Sequence, residues 1–205
     1  MAAELQEKIG VPYLAGLWNY ERLPSLLLWR LDSPLCELHP RPTSRAPSWS
    51  WAAVDGALSI NHSREVVQPF RVLDTDISGG FCLSAHGSIT VEGLVREGMW
   101  WYEGWNLTEP LLAPDTTALK RHDYDLTISP DCAGEIFEFL NDTTLVKSLD
   151  LTFLAIGKAD WDHGVVLGLI LLQHGKYHKR VGFFQVRSKD LLLIADWNVK
   201  VLRIF

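Results

Sequence analysis

The sequence has few cysteines and few basic residues. Its 205 residues include three cysteines, an odd number, and they are widely spaced: Cys36, Cys82 and Cys132. This spacing fits neither a disulfide framework nor a zinc knuckle, so we expect reduced thiols and a cytoplasmic location. The formal net charge of −6 argues against nucleic acid as a partner, because binding phosphates requires clustered lysine and arginine.

Long apolar runs are also absent. The longest, from Gly164 to Leu172, is about half the length of a membrane-spanning helix and contains glycine, so it is typical of a buried strand. Residues 1–8 carry charges where a secretory signal would be apolar. We therefore expect neither membrane association nor secretion.

Catalytic motifs are missing too. The sequence has no Gly-x-Ser-x-Gly elbow, no Cys-His signature and no glycine-rich phosphate loop before a helix. Two pairs of carboxylates lie two residues apart, Asp74 with Asp76 and Asp123 with Asp125. We expect both pairs at loops or strand ends. We predict no catalytic residue and no cofactor.

Residues 160–163, together with His174 and His178, are the best candidates for metal ligands. Carboxylate and imidazole could converge on one divalent ion, but histidines four residues apart share a face only on a helix. Gly175 separates these two, and their flanks resemble strands, so we predict no metal site. The nearby cluster of Lys176, Lys179 and Arg180 is interpreted as the solvated tip of a hairpin.

The N-terminal part favours short helices. Residues 2–9 are good helix formers, and Gly10 is placed as a helix stop. Apolar residues at helical spacing predict further short helices over 13–18 and 27–31. A proline-rich connector follows, so we divide the chain into a helical section with its connector, residues 1–46, and a β-rich domain, residues 47–205.

Beyond residue 47 the pattern has a period of two. Residues 88–96 alternate, 165–173 and 177–187 flank a turn at His174-Gly175-Lys176, and the further predicted strands are 70–73, 80–83, 151–156 and 199–205. Ser129-Pro130-Asp131 resembles a helix start, which predicts one short helix to Leu140. The expected fold is mainly β (α+β): an antiparallel β-sandwich or partly closed barrel with short N-terminal helices.

One segment, residues 45–56, alternates serine and tryptophan. A strand there would place Trp49 and Trp51 on one sheet face and Ser48 and Ser50 on the other. The two rings would then either fill the core or form the floor of a binding site, and the core is the favoured interpretation.

Three stretches carry a resemblance to a known family. The first contains Tyr13, Leu14, Gly16, Leu17 and Trp18, followed by Trp29. The second is Arg45-Ala46-Pro47-Ser48-Trp49-Ser50-Trp51-Ala52, and the third is the apolar run 164–172 with Tyr177 and Arg180 to Phe183. In order and spacing they resemble the region downstream of the HET domain in fungal heterokaryon-incompatibility proteins, and residues 87–93 are similar to a strand of that region.

The resemblance implies a role in allorecognition, the response that kills fused fungal cells. No stretch resembles the HET domain, which is regarded as the effector of programmed cell death. The chain is therefore expected to be a non-catalytic accessory or regulatory module whose partner is a HET effector domain, in cis or in trans. An apolar N-terminal surface, Tyr13 to Leu31, would be exposed without that partner and could support a homodimer.

An aromatic cluster supports a second hypothesis. Trp100, Trp101 and Trp105 lie beside Glu103, and exposed rings next to a carboxylate suit stacking on a sugar or nucleobase. The alternative function is a free-standing β-type module that binds a glycan or nucleotide. The same rings could instead lie in the core.

Overall fold

The computed structural model describes residues 2–19, 21–32, 39–42, 45–61, 63–77, 87–102, 124–131, 147–159, 164–188 and 197–205. Its helices are α1 (Ala2–Ile9) and α2 (Leu23–Leu26). The strands are β1 (Tyr13–Leu14), β2 (Leu17–Trp18), β3 (Trp29–Leu31), β4 (Leu58–Ile60), β5 (Ser63–Val66), β6 (Arg71–Asp76), β7 (Ser88–Tyr102), β8 (Tyr124–Pro130), β9 (Lys147–Ala159), β10 (Val165–His174), β11 (Tyr177–Ser188) and β12 (Asn198–Ile204). Neither helix has the length and apolar character needed to cross a membrane.

The main sheet closes on itself. β9 pairs with β10, β10 with β11, β11 with β12, β12 with β7, and β7 returns to β9. β5 and β6 extend this ring beside β9 and β7, and β8 pairs with the far part of β11. The β11–β12 contact is parallel and the other pairings of this sheet are antiparallel. The predicted mainly β fold is therefore confirmed, but the sheet is mixed and not purely antiparallel as the sequence predicts.

The middle parts of β9, β10 and β11 are buried on both faces. Leu167 and Leu169 of β10 belong to one hydrophobic cluster. Val166 and Ile170, which alternate with them, belong to a second cluster together with Phe153 of β9. Burial on both faces explains why β10 is a continuous apolar run and not an alternating one.

The predicted hairpin is confirmed at β10 and β11. His174 pairs with Tyr177, and Gly175 adopts a positive φ of 62° in the turn. Along β10, a Cβ added at Gly168 would lie 2.1 Å from the Leu154 carbonyl oxygen, so only glycine permits this strand spacing.

The N-terminal predictions are partly wrong. α1 ends before Gly10, as predicted, and the φ of Gly10 is +70°. Residues 13–18, however, form a hairpin of β1 and β2 in place of a helix. The physical reason is the turn, because Ala15 and Gly16 both have positive φ, as a two-residue type I′ turn requires. Likewise α2 is one short turn, and Trp29 begins a strand.

The expected apolar surface over 13–31 is also wrong. Leu14, Leu17, Leu23, Leu27 and Leu28 are buried. They share a cluster with residues of β7, β9 and β10, so the core contains residues from both sides of position 46. The homodimer and the division at 46 stay predictions, and the homodimer has lost its proposed surface.

The other strand and helix predictions have mixed outcomes. The strands predicted at 70–73, 88–96, 151–156 and 199–205 are confirmed as β6, β7, β9 and β12. The strand at 80–83 and the helix to Leu140 lie outside the described residues. Ser129 and Pro130 end β8, where they pair with Phe183 and Gly182 of β11.

Candidate functional site

The most distinctive site is a buried ion pair between β11 and the end of β8. Arg180 is fully buried, and its Nε lies 2.8 Å from Oδ2 of Asp131. A second bond joins Nη2 of Arg180 to Oδ1 at 3.2 Å, so the pair is bidentate. A register shift at Ile170/Leu171 of β10 leaves Val181 as the extra residue of a bulge beside Arg180. Bulges of this kind redirect side chains, which accounts for an arginine side chain inside an apolar strand.

The remaining donors of Arg180 bind the N-terminal segment. Nη1 donates to the Leu27 carbonyl at 2.6 Å, and Nη2 donates to the Trp29 carbonyl at 2.5 Å. The guanidinium carbon lies 3.4 Å from the centroid of the Trp29 ring. This stacking adds a cation–π contact to the hydrogen bonds, so one side chain fastens β3 to the main sheet.

Arg41 is a second cation at the same carboxylate. Its Nη2 lies 3.5 Å from Oδ2 of Asp131 and donates to the Arg180 carbonyl at 3.0 Å. Its Nη1 donates to the Ser48 carbonyl at 3.2 Å. Burial lowers the pKa of Arg180, Asp131 raises it and Arg41 lowers it.

Ser48 connects this pair to the end of β12. Its amide donates to the Phe205 carbonyl at 3.1 Å, and its hydroxyl donates to the same oxygen. The hydroxyl also accepts from the Arg180 amide at 3.0 Å. Arg180, Asp131, Arg41, Trp29 and Ser48 therefore form one buried unit, which we call the interlock.

The serine–tryptophan segment is a turn and not the predicted strand. Residues Trp51–Ala53 form a 3-10 helix, and the Ser50 hydroxyl caps it by accepting from the Ala52 amide at 3.0 Å. Trp49 is fully buried whereas Trp51 is 40% exposed, so the two rings do not share a face. The favoured core interpretation holds for Trp49 only. Serine caps its own turn here, which overrides the alternating pattern.

The Arg45 side chain stabilises this turn with three bonds. Its Nε donates to the Ala52 carbonyl and its Nη2 to the Val54 carbonyl, each at 2.5 Å. Its Nη1 lies 2.7 Å from Oδ1 of Asp55. Pro47, the other predicted motif residue of this turn, is buried beside it.

The β1–β2 hairpin rests on the same turn. Nε1 of Trp51 donates to the Gly16 carbonyl at 2.8 Å, and the Ser50 hydroxyl donates to the Ala15 carbonyl. The Tyr13 and Trp18 rings pack edge to face at 5.1 Å. Nε1 of Trp29 donates to the Trp49 carbonyl at 3.0 Å, which joins the hairpin and turn to the interlock.

The sequence does not predict the interlock, and the interpretation of Arg180 as part of a solvated hairpin tip is wrong. Lys176 is exposed as expected of a hairpin tip, but Arg180 is fully buried. The available signal was an arginine directly before the apolar stretch Val181 to Phe184. Asp131 was assigned to a helix start, so its role as the partner of Arg180 was missed.

Two of the four predicted ligand contacts lie outside the described residues. Trp100 and Trp101 are consecutive residues of β7, in register with Leu149 and Ser148 of β9. Glu103 and Trp105 lie outside the described residues. The glycan- or nucleotide-binding alternative therefore stays a prediction.

The metal candidates are not brought together within the described ranges. His174 and His178 lie on β10 and β11, on either side of the turn, and residues 160–163 fall outside those ranges. Among the residues the structure describes, no group of three or more histidine, cysteine, aspartate or glutamate side chains could hold a metal ion. The chemistry of the interlock is a set of charge-assisted hydrogen bonds in a buried site.

The chain matches no protein-family model, no curated protein and no solved structure.

Proposed function

We propose that this chain is an accessory or regulatory module of a fungal heterokaryon-incompatibility protein, without catalytic activity of its own. In this proposal it packs against a HET effector domain, supplied in cis or in trans. It would act in the cytoplasm, in the recognition response that leads to programmed cell death.

The observation that carries the proposal is the contact between the three stretches that resemble the family. Trp29 comes from the first, Ser48 from the second and Arg180 from the closing hairpin, and all three meet in the interlock. Stretches that are far apart in the sequence but adjacent in space are expected of a shared structural unit. This supports treating the resemblance as one unit and not as scattered coincidences.

The state of these residues supports a structural role. The Arg180 guanidinium and the Asp131 carboxylate are buried and bonded to each other, and the Ser48 hydroxyl is bonded on both sides. A catalytic group must reach a substrate, whereas these groups are occupied within the fold. Partner binding would therefore depend on surface residues.

Co-purification tests the proposal. A tagged HET domain from a fungal incompatibility protein would be co-expressed with the chain, and an unrelated domain of similar charge would serve as the control bait. We expect a complex on size exclusion with the HET domain and none with the control. Absence of association at micromolar concentration contradicts the proposal.

Surface variants would then locate the contact. Val201 on β12 and Ile60 on β4 are matched exposed apolar side chains in different sheets, at 57% and 43% exposure. Val201→Glu and Ile60→Glu each add one charge at an exposed side chain, and because Ile60 is in register with Trp29 of the interlock, unchanged thermal unfolding of the Ile60→Glu chain is required before its binding is compared. A contact on either strand predicts loss of the complex in that variant alone, because a buried unpaired charge is costly at an interface.

A further inference from the structure

The ring of strands closes through a very short pairing. β11 and β12 share one register pair, His178 with Ile204. By contrast, β12 is in register with β7 from Asn198 to Ile204, and β10 with β11 from Val165 to His174. The Phe205 amide adds one hydrogen bond to the His178 carbonyl at 3.0 Å. We call this contact the seam.

His178 is a titratable residue at the centre of the seam. Its side chain is half-buried, and its Nδ1 is buried with no hydrogen-bond partner among the described residues. A neutral imidazole can leave this nitrogen as an unused acceptor. An imidazolium would instead carry a buried N–H donor and a charge, and both are costly without a partner.

The surroundings of His178 compensate for that charge only in part. Glu97 of β7 and Lys200 of β12 are the charged groups that act on the imidazole, and Gln173 is its register partner on β10. The Lys200 ammonium is itself bonded to the Glu97 carboxylate. Burial lowers the pKa of His178 below its ordinary value of 6.5, Glu97 raises it and Lys200 lowers it, with burial the largest effect.

We propose that the seam is an acid-sensitive contact, closed while His178 is neutral and opened when His178 takes up a proton. The open form solvates the imidazole and therefore binds the proton more tightly than the closed form. By linkage, the closed form is fully favoured above about pH 6.5 and loses its advantage as the pH falls below that value. Opening would release the C-terminal part of β12 from β11 and, with it, the Phe205 carbonyl from Ser48.

Amide hydrogen exchange tests this proposal on the intact chain. We would compare the Phe205 amide, which donates to the His178 carbonyl, and the Ser48 amide, which donates to the Phe205 carbonyl, with the amides of β10 at about pH 7.5 and about pH 5.5, after correcting for intrinsic rates. In the native sequence we expect exchange of the Phe205 and Ser48 amides to rise several-fold on acidification while β10 stays protected. The upper limit is about tenfold, because protonation favours the open form by one plus the protonated-to-neutral ratio of an ordinary histidine, which is about 11 at pH 5.5 and about 1.1 at pH 7.5.

Two histidine variants make the test specific. His178→Gln keeps a neutral side chain at the seam, so exchange of its Phe205 and Ser48 amides should not respond to acid. His39→Gln, at an exposed position, should respond as the native sequence does, and it is preferred to a His174 variant because the His174 ring packs against Phe205. An equal acid response in His178→Gln, or no response in the native chain, overturns the proposal.

A further variant and a direct titration keep the test independent of how His178→Gln folds. Lys200→Gln removes the ammonium, which leaves Glu97 to attract the imidazolium and raises the pKa of His178. The acid response should therefore shrink, and an unchanged response contradicts the proposal. Titration of the His178 ring by NMR should give a midpoint below 6.5, and a midpoint at or above that value overturns it.

Discussion

Two regions of the molecule pair arginine with a carboxylate in different surroundings. In the interlock, the Arg180 and Asp131 side chains are 0% and 1% exposed. Between β6 and β7, Arg71 pairs with Glu92 while its own side chain is 66% exposed. Water can replace the partner of an exposed charge but not of a buried one, so stability should depend on the first pair far more than on the second.

The largest expected effect comes from removing Asp131. Asp131→Ala leaves the charge of Arg180 buried without its carboxylate and takes the same partner from Arg41. Breaking one side of a buried pair costs about 3–5 kcal/mol of unfolding free energy. Chemical denaturation followed by tryptophan fluorescence measures this loss, and a cost below about 1 kcal/mol would contradict the importance of the pair.

A double variant separates the charge from the packing. Arg180→Met with Asp131→Leu removes both members of this pair and fills their place with apolar side chains, while Arg41 keeps its hydrogen bonds to the backbone carbonyls of residues 48 and 180. Such replacements are often close to neutral, so the double variant should be more stable than Asp131→Ala. If the double variant is instead the less stable of the two, the hydrogen bonds of Arg180 to the Leu27 and Trp29 carbonyls matter more than its charge.

The second prediction concerns Ser48. Ser48→Ala removes the hydroxyl that accepts from the Arg180 amide, which leaves a buried donor without a partner. We expect a loss of about 1–3 kcal/mol, the cost of leaving one buried polar group unsatisfied. Ser59→Ala is the matched control, because the Ser59 hydroxyl donates to Asp32 at an exposed site and its loss should cost about 0.5 kcal/mol or less. Equal losses in the two variants would refute the role assigned to Ser48.

A third prediction compares two glycines. Gly16 has a φ of +102°, and a Cβ there would lie 3.0 Å from Nε1 of Trp51. Gly175 also has a positive φ, but a Cβ there would meet nothing within 4 Å. Gly16→Ala should cost about 2 kcal/mol and Gly175→Ala about 1 kcal/mol, since both are strained and only the first also crowds a neighbour. Thermal unfolding of the two variants measures the difference, and a larger loss for Gly175→Ala would contradict it.

The sequence predicts the regular parts of this fold better than the interlock. The turn at Gly175 and the apolar strand before it follow from local signals, namely a glycine between two periodic stretches. The helix prediction for residues 13–18 is wrong because the spacing of their apolar residues fits a helix as well as this hairpin. Only the positive φ of Ala15 and Gly16 distinguishes the two, and a sequence does not display φ.

The interlock could not be predicted because its members are distant in sequence. Arg180 and Asp131 are 49 residues apart, and Arg180 and Trp29 are 151 apart. Local patterns assigned Arg180 to a solvated tip and Asp131 to a helix start, and each assignment is reasonable for that residue type in isolation. Only the strand bulge and the pairing of β8 with β11 bring them together.

The smallest expected effect is at the exposed pair. Arg71→Gln removes the partner of Glu92, but both side chains remain in contact with water, so the loss should be about 0.5 kcal/mol or less and should decrease further in high salt. A double-mutant cycle with Glu92→Gln isolates the coupling between the two residues. A coupling above about 2 kcal/mol would mean that this sheet face is drier than its exposure indicates, and the contrast with Arg180 would fail. A small, salt-sensitive coupling would mean that burial is the reason why the Arg180–Asp131 pair contributes more to stability than the Arg71–Glu92 pair.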